Sequence, residues 1–576
     1  MDRVVRINTR SGEISVAEVA GEEKKWGGRS FVANILRREV PPACEPLGRQ
    51  NKLIIALGLL ADTGLSTAGQ LSIGGKSPLT GGVKESNCGG FAAKRLGRLG
   101  IRALIFEDAP PRPVTRVLVV STDGIRLEDA PELQGALVSE TFKRLREKYG
   151  TRVGLICIGP AGEMLMYGAG VATTDDRGVQ TRYAARGGLG AVMGSKGVKA
   201  VVIDDKGAPS ASVYDPDLLR ETILSINKEL AADPKSKNRK LYGTLDILEM
   251  ANHVGLMPTR NFSAGSFELA HRLTGDFVSR IIAQRGGEGR SGTPCVQGCT
   301  IQCSNVFPDQ DGKRVTASIQ YESVVLLGPN CGIGDIDEIC RLNELCNEVG
   351  VDTIETGAAL GVAMEAGIIK FGDAEGAKNI VRQIGQGTLL GRVIGNGAAL
   401  TGRVLGVRRI PAVKGQAIPA YDPRALKGNG VTYLTSPMGA DHTAGNCFET
   451  IKTNDPLGLR GQVENSWRRQ VRAAILDLLG LCLFIRPAFV KNPGYLPLLL
   501  KGRYGWDLTF SEIKRMGVET IRLEREFNRL AGVPDELSRI PEFMTEEPLP
   551  PTNAVFDLPQ EEIDRIWTLK DSEDEF

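Results

Sequence analysis

Short runs of β-branched and aliphatic residues, separated by turn residues, dominate the first third of the chain: RVVRINTR, KLIIALGLL, ALIFED, TRVLVVST, VGLICIG and KAVVID. Runs of this length and composition predict strands. A polar stretch rich in small residues, Asp204–Asp217, follows, and beyond it the apolar spacing becomes helical, beginning with LLRETILSINKEL. The segment Asp335–Glu348 is an example. Asp335 is placed to cap, Glu338 to complete a capping box, and Ile336, Ile339, Cys340 and Leu342 mark one face. A second connection, Arg408–Gly428, carries three prolines among small residues. The pattern predicts an α+β protein with a β-rich domain over 1–208 and two mainly helical domains over 209–415 and 416–576. No internal repeat or low-complexity tract is apparent.

Composition narrows the function. The 576 residues carry 71 basic and 69 acidic side chains, net +2, without the basic excess that marks a nucleic-acid partner. The start, MDRVVRINTRSGEI, has no apolar h-region. The longest apolar stretches, Leu53–Ala61 and Ala474–Ile485, fall short of the ~20 residues that span a bilayer. No membrane span and a cytoplasmic location are therefore expected. Glycine is abundant, 70 of 576, against about 7 % on average, so backbone is expected to approach something closely at many points. There are eleven cysteines but only three histidines, His253, His271 and His442. An odd cysteine count without an export signal favours metal or catalytic use over disulfides.

Cys295, Cys299 and Cys303 recur at intervals of four in TPCVQGCTIQCSN. A helical turn, or a glycine-containing loop, would each put the three thiolates on one side of a metal centre. Zinc would want paired Cys-x2-Cys elements or nearby histidines. Three clustered cysteines plus a distant one suit a four-iron cluster. The polar Thr, Gln, Ser and Asn around them are unlike the setting of apolar fillers. Cys482, close to an acidic residue and a glycine in DLLGLCLF, is the expected fourth ligand. Cys44, Cys157, Cys340 and Cys346 read as structural, and Cys88, Cys331 and Cys447 stay open. The glycines of Arg186-Gly187-Gly188-Leu189-Gly190 do not fit a dinucleotide loop, and TRYAAR before them does not read as a buried strand.

Eight segments, in order, resemble the tungsten-containing aldehyde:ferredoxin oxidoreductase family: WGGRS, GKSPLTGG, ESNCGGF, ARGGLGAVMGSK, MPTRNF, YES…LGPNCGIGD, VDTIETG and DLLGLC. The resemblance implies tungsten, or molybdenum, held by the dithiolene sulfurs of two pyranopterins. Beside them it implies a [4Fe-4S] cluster on Cys295, Cys299, Cys303 and Cys482, with a β-rich base under the pterins and two helical domains over them. It further implies that Asp352 and Asp477 accept hydrogen bonds from the pterins, Asp352 also reading as a helix cap. Lys76 stands where many relatives carry an arginine bridging cluster and pterin. Asn87 and Ala184 would hold Mg2+ between the pterin phosphates through their carbonyls, and Arg186, Gly187 and Gly188 would contact those phosphates. Glu322 is the implied general acid/base, and His442 the donor to the metal oxo group or substrate oxygen. Cys331, in a soft-ligand position, raises a second reading in which its thiolate ligates tungsten, as in the benzoyl-CoA reductase branch. The substrate is then an aldehyde or an acyl-CoA thioester, and the electron partner ferredoxin or a small ferredoxin-like subunit. A homodimer and a hetero-oligomer are both compatible with the sequence.

Overall fold

Two six-stranded sheets form the N-terminal third of the computed structural model, which describes residues 2–175, 178–535, 538–569 and 576. The first contains β1 (Arg3–Asn8), β2 (Ile14–Glu18), β3 (Leu53–Leu57), β4 (Leu71–Lys76), β5 (Val83–Cys88) and β6 (Ile101–Glu107), in the order β2-β1-β6-β3-β4-β5. The second contains β7 (Arg116–Ser121), β8 (Gly124–Asp129), β9 (Gly154–Cys157), β10 (Val171–Thr174), β11 (Gln180–Ala184) and β12 (Val198–Asp204), in the order β8-β7-β12-β9-β10-β11. The strand order is the same twice over. In each sheet the first and last strands pair in parallel, β1 with β6 and β7 with β12. Each last strand follows a glycine pair and a short helix, Ala92–Arg98 or Leu189–Ser195. This corrects the expectation of no internal repeat. Only the short stretches GGFAAKRLGRLGIRALIFED and GGLGAVMGSKGVKAVVIDD keep a visible trace of it.

All the expected strand runs form strands. β3 is buried on both faces, which explains its unbroken apolar run. TRYAAR, not expected to be a buried strand, supplies most of the edge strand Gln180–Ala184, which pairs antiparallel with β10. The two edge strands β5 and β11 pack against each other and carry the polar residues that reach the site.

The rest of the described chain is mainly helical, as expected, with a small sheet of β13 (Arg290–Thr293), β14 (Ser304–Pro308) and β15 (Arg314–Ala317). Asp335 caps the helix Ile336–Val349 through the N–H groups of Asp337 and Glu338. Glu338 itself pairs with Lys378 at 2.6 Å rather than completing a capping box. Residues on both sides of position 416 share one apolar cluster. Among the described residues no helix is long and apolar enough to cross a membrane.

The helix Gln462–Leu479 bears most on the site. It ends at Gly480, whose φ of +74° terminates it in the left-handed region. The helix Gly28–Glu39 packs its first residues on that end. A Cβ on Gly27 would lie 2.4 Å from the Leu478 carbonyl oxygen, and one on Gly28 2.1 Å from that of Asp477. The WGG of WGGRS is thus the condition for two backbones to meet.

Candidate metal and substrate site

A cavity of about 430 Å³ lies between the sheets and the helical part, within the ~300–1,000 Å³ of small-molecule sites. The cysteine segment 295–303 on one wall is a loop rather than a helix, turned by Gly298 at φ +84°. Its Thr300 is tied to Ser66 through the hydroxyls at 2.9 Å. Cys482 comes to the same place because its N–H donates to the Thr67 carbonyl at 3.2 Å. Cys295, Cys303 and Cys482 line the cavity, while the Cys299 thiol hydrogen-bonds that of Cys295. That bond, with Arg182 facing it, pulls Cys295 down to about 6. Burial pushes Cys303 up to about 12 and Cys482 up to about 11. Arg182 is the positive charge common to these thiols, and its buried Nε has no hydrogen-bond partner. Sequence reasoning missed it, although it stands in the TRYAAR that precedes the glycine run. Among the described residues no three His, Cys, Asp or Glu side chains converge on a single ion-sized point.

The facing walls collect four of the eight expected cofactor residues, Asn87, Arg186, Asp352 and Asp477. Asn87 donates to Asp477 Oδ1 at 2.8 Å. Asp477 also faces Arg29 at 3.3 Å, and burial pushes its carboxyl up to about 6 against that pull. Arg29 is held by Glu524 through two bonds of 2.8 Å. Asp352 caps its helix through Ile354 N–H at 2.9 Å and turns its other oxygen to Arg186 Nε at 3.2 Å. Asp352 is thus a helix cap that also lines the cavity. Ala184 is buried at the end of β11, and the neighbouring Ala185 reaches the cavity surface.

Six expected site residues do not line the cavity: Ala184, Cys299, Lys76, Gly187, Gly188 and Cys331. Lys76 sits at the end of β4 with its ammonium on the carbonyls of Pro42 and Cys44; Gln70, one residue before the strand, reaches the cavity instead. Gly187 and Gly188, at φ +81° and +74°, serve packing, for Cβ atoms there would lie 2.2 Å from Lys84 Cγ and 2.6 Å from the Tyr167 carbonyl oxygen. The Cys331 thiol points into the apolar core and contacts the carbonyls of Leu326 at 3.4 Å and Gly357 at 3.6 Å. Burial alone pushes it up to about 12.

Glu322 and His442 meet inside the cavity. Glu322 Oε2 accepts from Ala420 N–H at 2.7 Å, and Oε1 stands 3.4 Å from His442 Nε2. Glu322 Oε1 and His442 Nδ1 are buried without hydrogen-bond partners, which is costly unless a bound group supplies one. Burial raises the Glu322 carboxyl above its ordinary value. The preceding Asp441 is anchored by Lys84, and Tyr421 lies against the imidazole at a ring separation of 5.7 Å. Orphaned polar atoms on one wall and a thiol set on the other fit a polar redox cofactor beside an iron–sulfur cluster.

The chain matches the family models named aldehyde ferredoxin oxidoreductase over residues 4–205 for the N-terminal domain and 221–568 for domains 2 and 3. It belongs to the aldehyde ferredoxin oxidoreductase family. A tungsten-containing aldehyde ferredoxin oxidoreductase of Pyrococcus abyssi is 33% identical over 95% of this chain and 92% of its own. The aliphatic sulfonate oxidoreductase, WOR-like subunit, of Pyrococcus furiosus is 26% identical over 88% of this chain and 82% of its own. Among solved structures, the active site complex BamBC of benzoyl coenzyme A reductase with 1,5-dienoyl-CoA shares the fold. Its TM-score is 0.79 at 18% identity, over 98% of this chain and 92% of that one. Membership makes the chain an oxidoreductase of the aldehyde ferredoxin oxidoreductase type and implies a tungsten–pterin cofactor.

Proposed function

We propose that this enzyme oxidises an aldehyde to the carboxylate beside Glu322 and His442. The observation that carries this reading is the buried pair itself, Glu322 Oε1 unpartnered and 3.4 Å from His442 Nε2, in the cavity that also holds the thiols. Asp352, Asp477, Arg186 and Asn87 would hold the pterins, with Gly187 and Gly188 shaping the backbone beneath. The carbonyls of Asn87 and Ala184 would serve Mg2+ between the phosphates. Cys295, Cys299, Cys303 and Cys482 would ligate a [4Fe-4S] cluster facing Arg182. When bound, the tungsten–pterin group supplies a two-electron acceptor. The overall balance is RCHO + H2O → RCOO⁻ + 3 H⁺ + 2 e⁻, and the electrons leave singly to ferredoxin or a small ferredoxin-like subunit. Glu322, ionised, takes the proton released as water-derived oxygen bonds the carbonyl carbon. His442 donates a hydrogen bond to the carbonyl oxygen as negative charge develops there.

The acyl-CoA reading depended on a Cys331 thiolate reaching the metal, and that thiol is turned into the core. Anaerobic purification, metal analysis and a viologen assay over aldehydes and acyl-CoA compounds test the assignment. Turnover of aldehydes is expected. Iron without tungsten or molybdenum, or turnover of acyl-CoA compounds alone, would overturn it.

A further inference from the structure

The turn that presents His442 is tied to the N-terminal sheets residue by residue. The Met438 sulfur accepts from Glu85 N–H on β5 at 3.2 Å, and the Ala440 carbonyl accepts from Arg186 at 2.8 Å. Asp441 divides its two oxygens. Oδ2 takes the ammonium of Lys84, also on β5. Oδ1 accepts from the Thr443 N–H at 2.9 Å and from its hydroxyl at 2.7 Å, which folds residues 441–443 around His442. The imidazole itself is not held in this way. Its Nδ1 is buried without a hydrogen-bond partner, and its Nε2 faces Glu322 Oε1 at 3.4 Å. A catalytic histidine is usually oriented by an acceptor on its second ring nitrogen. Here the direction of the ring follows from the backbone, and the backbone from Asp441.

Lys84 is fully buried and does not line the cavity. Its pair with Asp441 takes two charges out of water, and exchanging such a pair for apolar residues is often neutral or stabilising. Packing alone therefore does not call for it. The chain nevertheless makes room for the lysine, because a Cβ on Gly187 would lie 2.2 Å from Lys84 Cγ. Against the pull of burial, Lys84 and Arg186 hold the Asp441 carboxyl well below the usual carboxylate range, so it stays an acceptor for Thr443. The same strand carries Asn87 on the cavity wall.

We infer that Lys84 is a positioning residue for His442 and acts through Asp441. One strand, β5, thereby fixes both the wall that would hold the cofactor and the histidine that would donate to the substrate oxygen. The inference rests on the proposed role of His442 and adds to it a residue that touches neither substrate nor cofactor.

Removing one charge alone would strand the other inside the protein, so the test uses the double variant Lys84→Met/Asp441→Asn, whose asparagine can still cap Thr443. Turnover of the metal-loaded enzyme is counted per bound tungsten. The kcat for aldehyde oxidation should fall about tenfold to a hundredfold with little change in KM, the cost of an ångström-scale misplacement. Lys84→Gln, which keeps a donor to Asp441, should fall between the double variant and wild type. In a His442→Ala background the double substitution should add no further loss, because residues that act through one another are not additive. Crystal structures of the holoenzyme variants give a readout free of turnover, in which the His442 ring should be displaced from Glu322 Oε1. Unchanged kcat per tungsten in both variants, with the ring in place, would overturn the inference and leave Glu322 and His442 as the reacting pair. A loss as large in the His442→Ala background, or one matched by lost tungsten, would make the pair structural and overturn it as well. A displaced ring in an enzyme whose unmodified form oxidises no aldehyde would uphold Lys84 as a positioning residue and remove the aldehyde reading.

Discussion

Glu322 takes its role from where it is buried. The carboxylate loses water, keeps one backbone donor at Ala420, and presents its second oxygen to the cavity. A base must be ionised to accept a proton, and burial raises the pH at which this one ionises. The acid limb of kcat/KM is therefore expected above 4.5, the ordinary value for glutamate; a limb at or below it would dismiss Glu322 as the base. Glu322→Gln should keep its metals and lower turnover by about a hundredfold or more, and normal turnover in that variant would remove Glu322 from the mechanism. Cys331 makes the opposite case. Its thiol satisfies itself on two carbonyls in an apolar cluster. X-ray absorption at the tungsten edge should therefore give the same sulfur count in the unmodified enzyme and in Cys331→Ser. A count that drops by one would restore Cys331 as a ligand.

Helix ends and glycines place the site at the scale of elements. The C-terminus of the helix Gln462–Leu479 carries Asp477 into the cavity only because Gly27 and Gly28 let another helix start against its carbonyls. Gly28→Ala puts a methyl 2.1 Å from the Asp477 carbonyl oxygen. The variant should lose about 1–3 kcal/mol, the usual cost of overpacking, and bind less tungsten per chain. An unchanged thermal midpoint and metal content would show that the contact relaxes freely. Glu355, on the helix Thr353–Glu365, joins three elements by accepting from Ala398 and Ala417 N–H groups at 2.9 Å each. Burial lifts its carboxyl from 4.5 to about 7. The folded state therefore binds this proton more tightly than the unfolded chain does. Its contribution to stability is fully present below about pH 4.5 and is lost as the pH rises through about 7. Unfolding free energies of wild type and Glu355→Gln should diverge over that window, the wild type declining more steeply; parallel curves would contradict the shift.

Over the whole molecule the site is a meeting of distant segments. The duplicated sheets bring β5 and β11 together, the loop Cys295–Cys303 closes one wall, and DLLGLC arrives by the isolated bridge Ala68↔Leu481. Cys482 joins the other three cysteines only through that arrangement. The cluster assignment predicts about four irons per chain. Cys482→Ala should lose the cubane spectrum or give a three-iron species. Intact iron content and spectrum in that variant would move the fourth ligand to another cysteine.

Much of this was legible in the chain because it depends on local pattern. Apolar runs and their spacing determined which segments are strands and which are helices, and where Asp335 caps. The cysteine spacing and the motifs around Glu322, His442, Asp352 and Asp477 named residues that share one cavity. Side-chain direction was decided only in three dimensions. The place of a residue in a motif does not say which face of a strand or turn it occupies, so Lys76 and Cys331 were expected at the cavity and turn away from it. Arg182 was passed over because its partners are distant in sequence. The arginines around Glu449 come from two helices, Gln462–Leu479 and Arg486–Lys491, and meet on its carboxylate only in the folded chain.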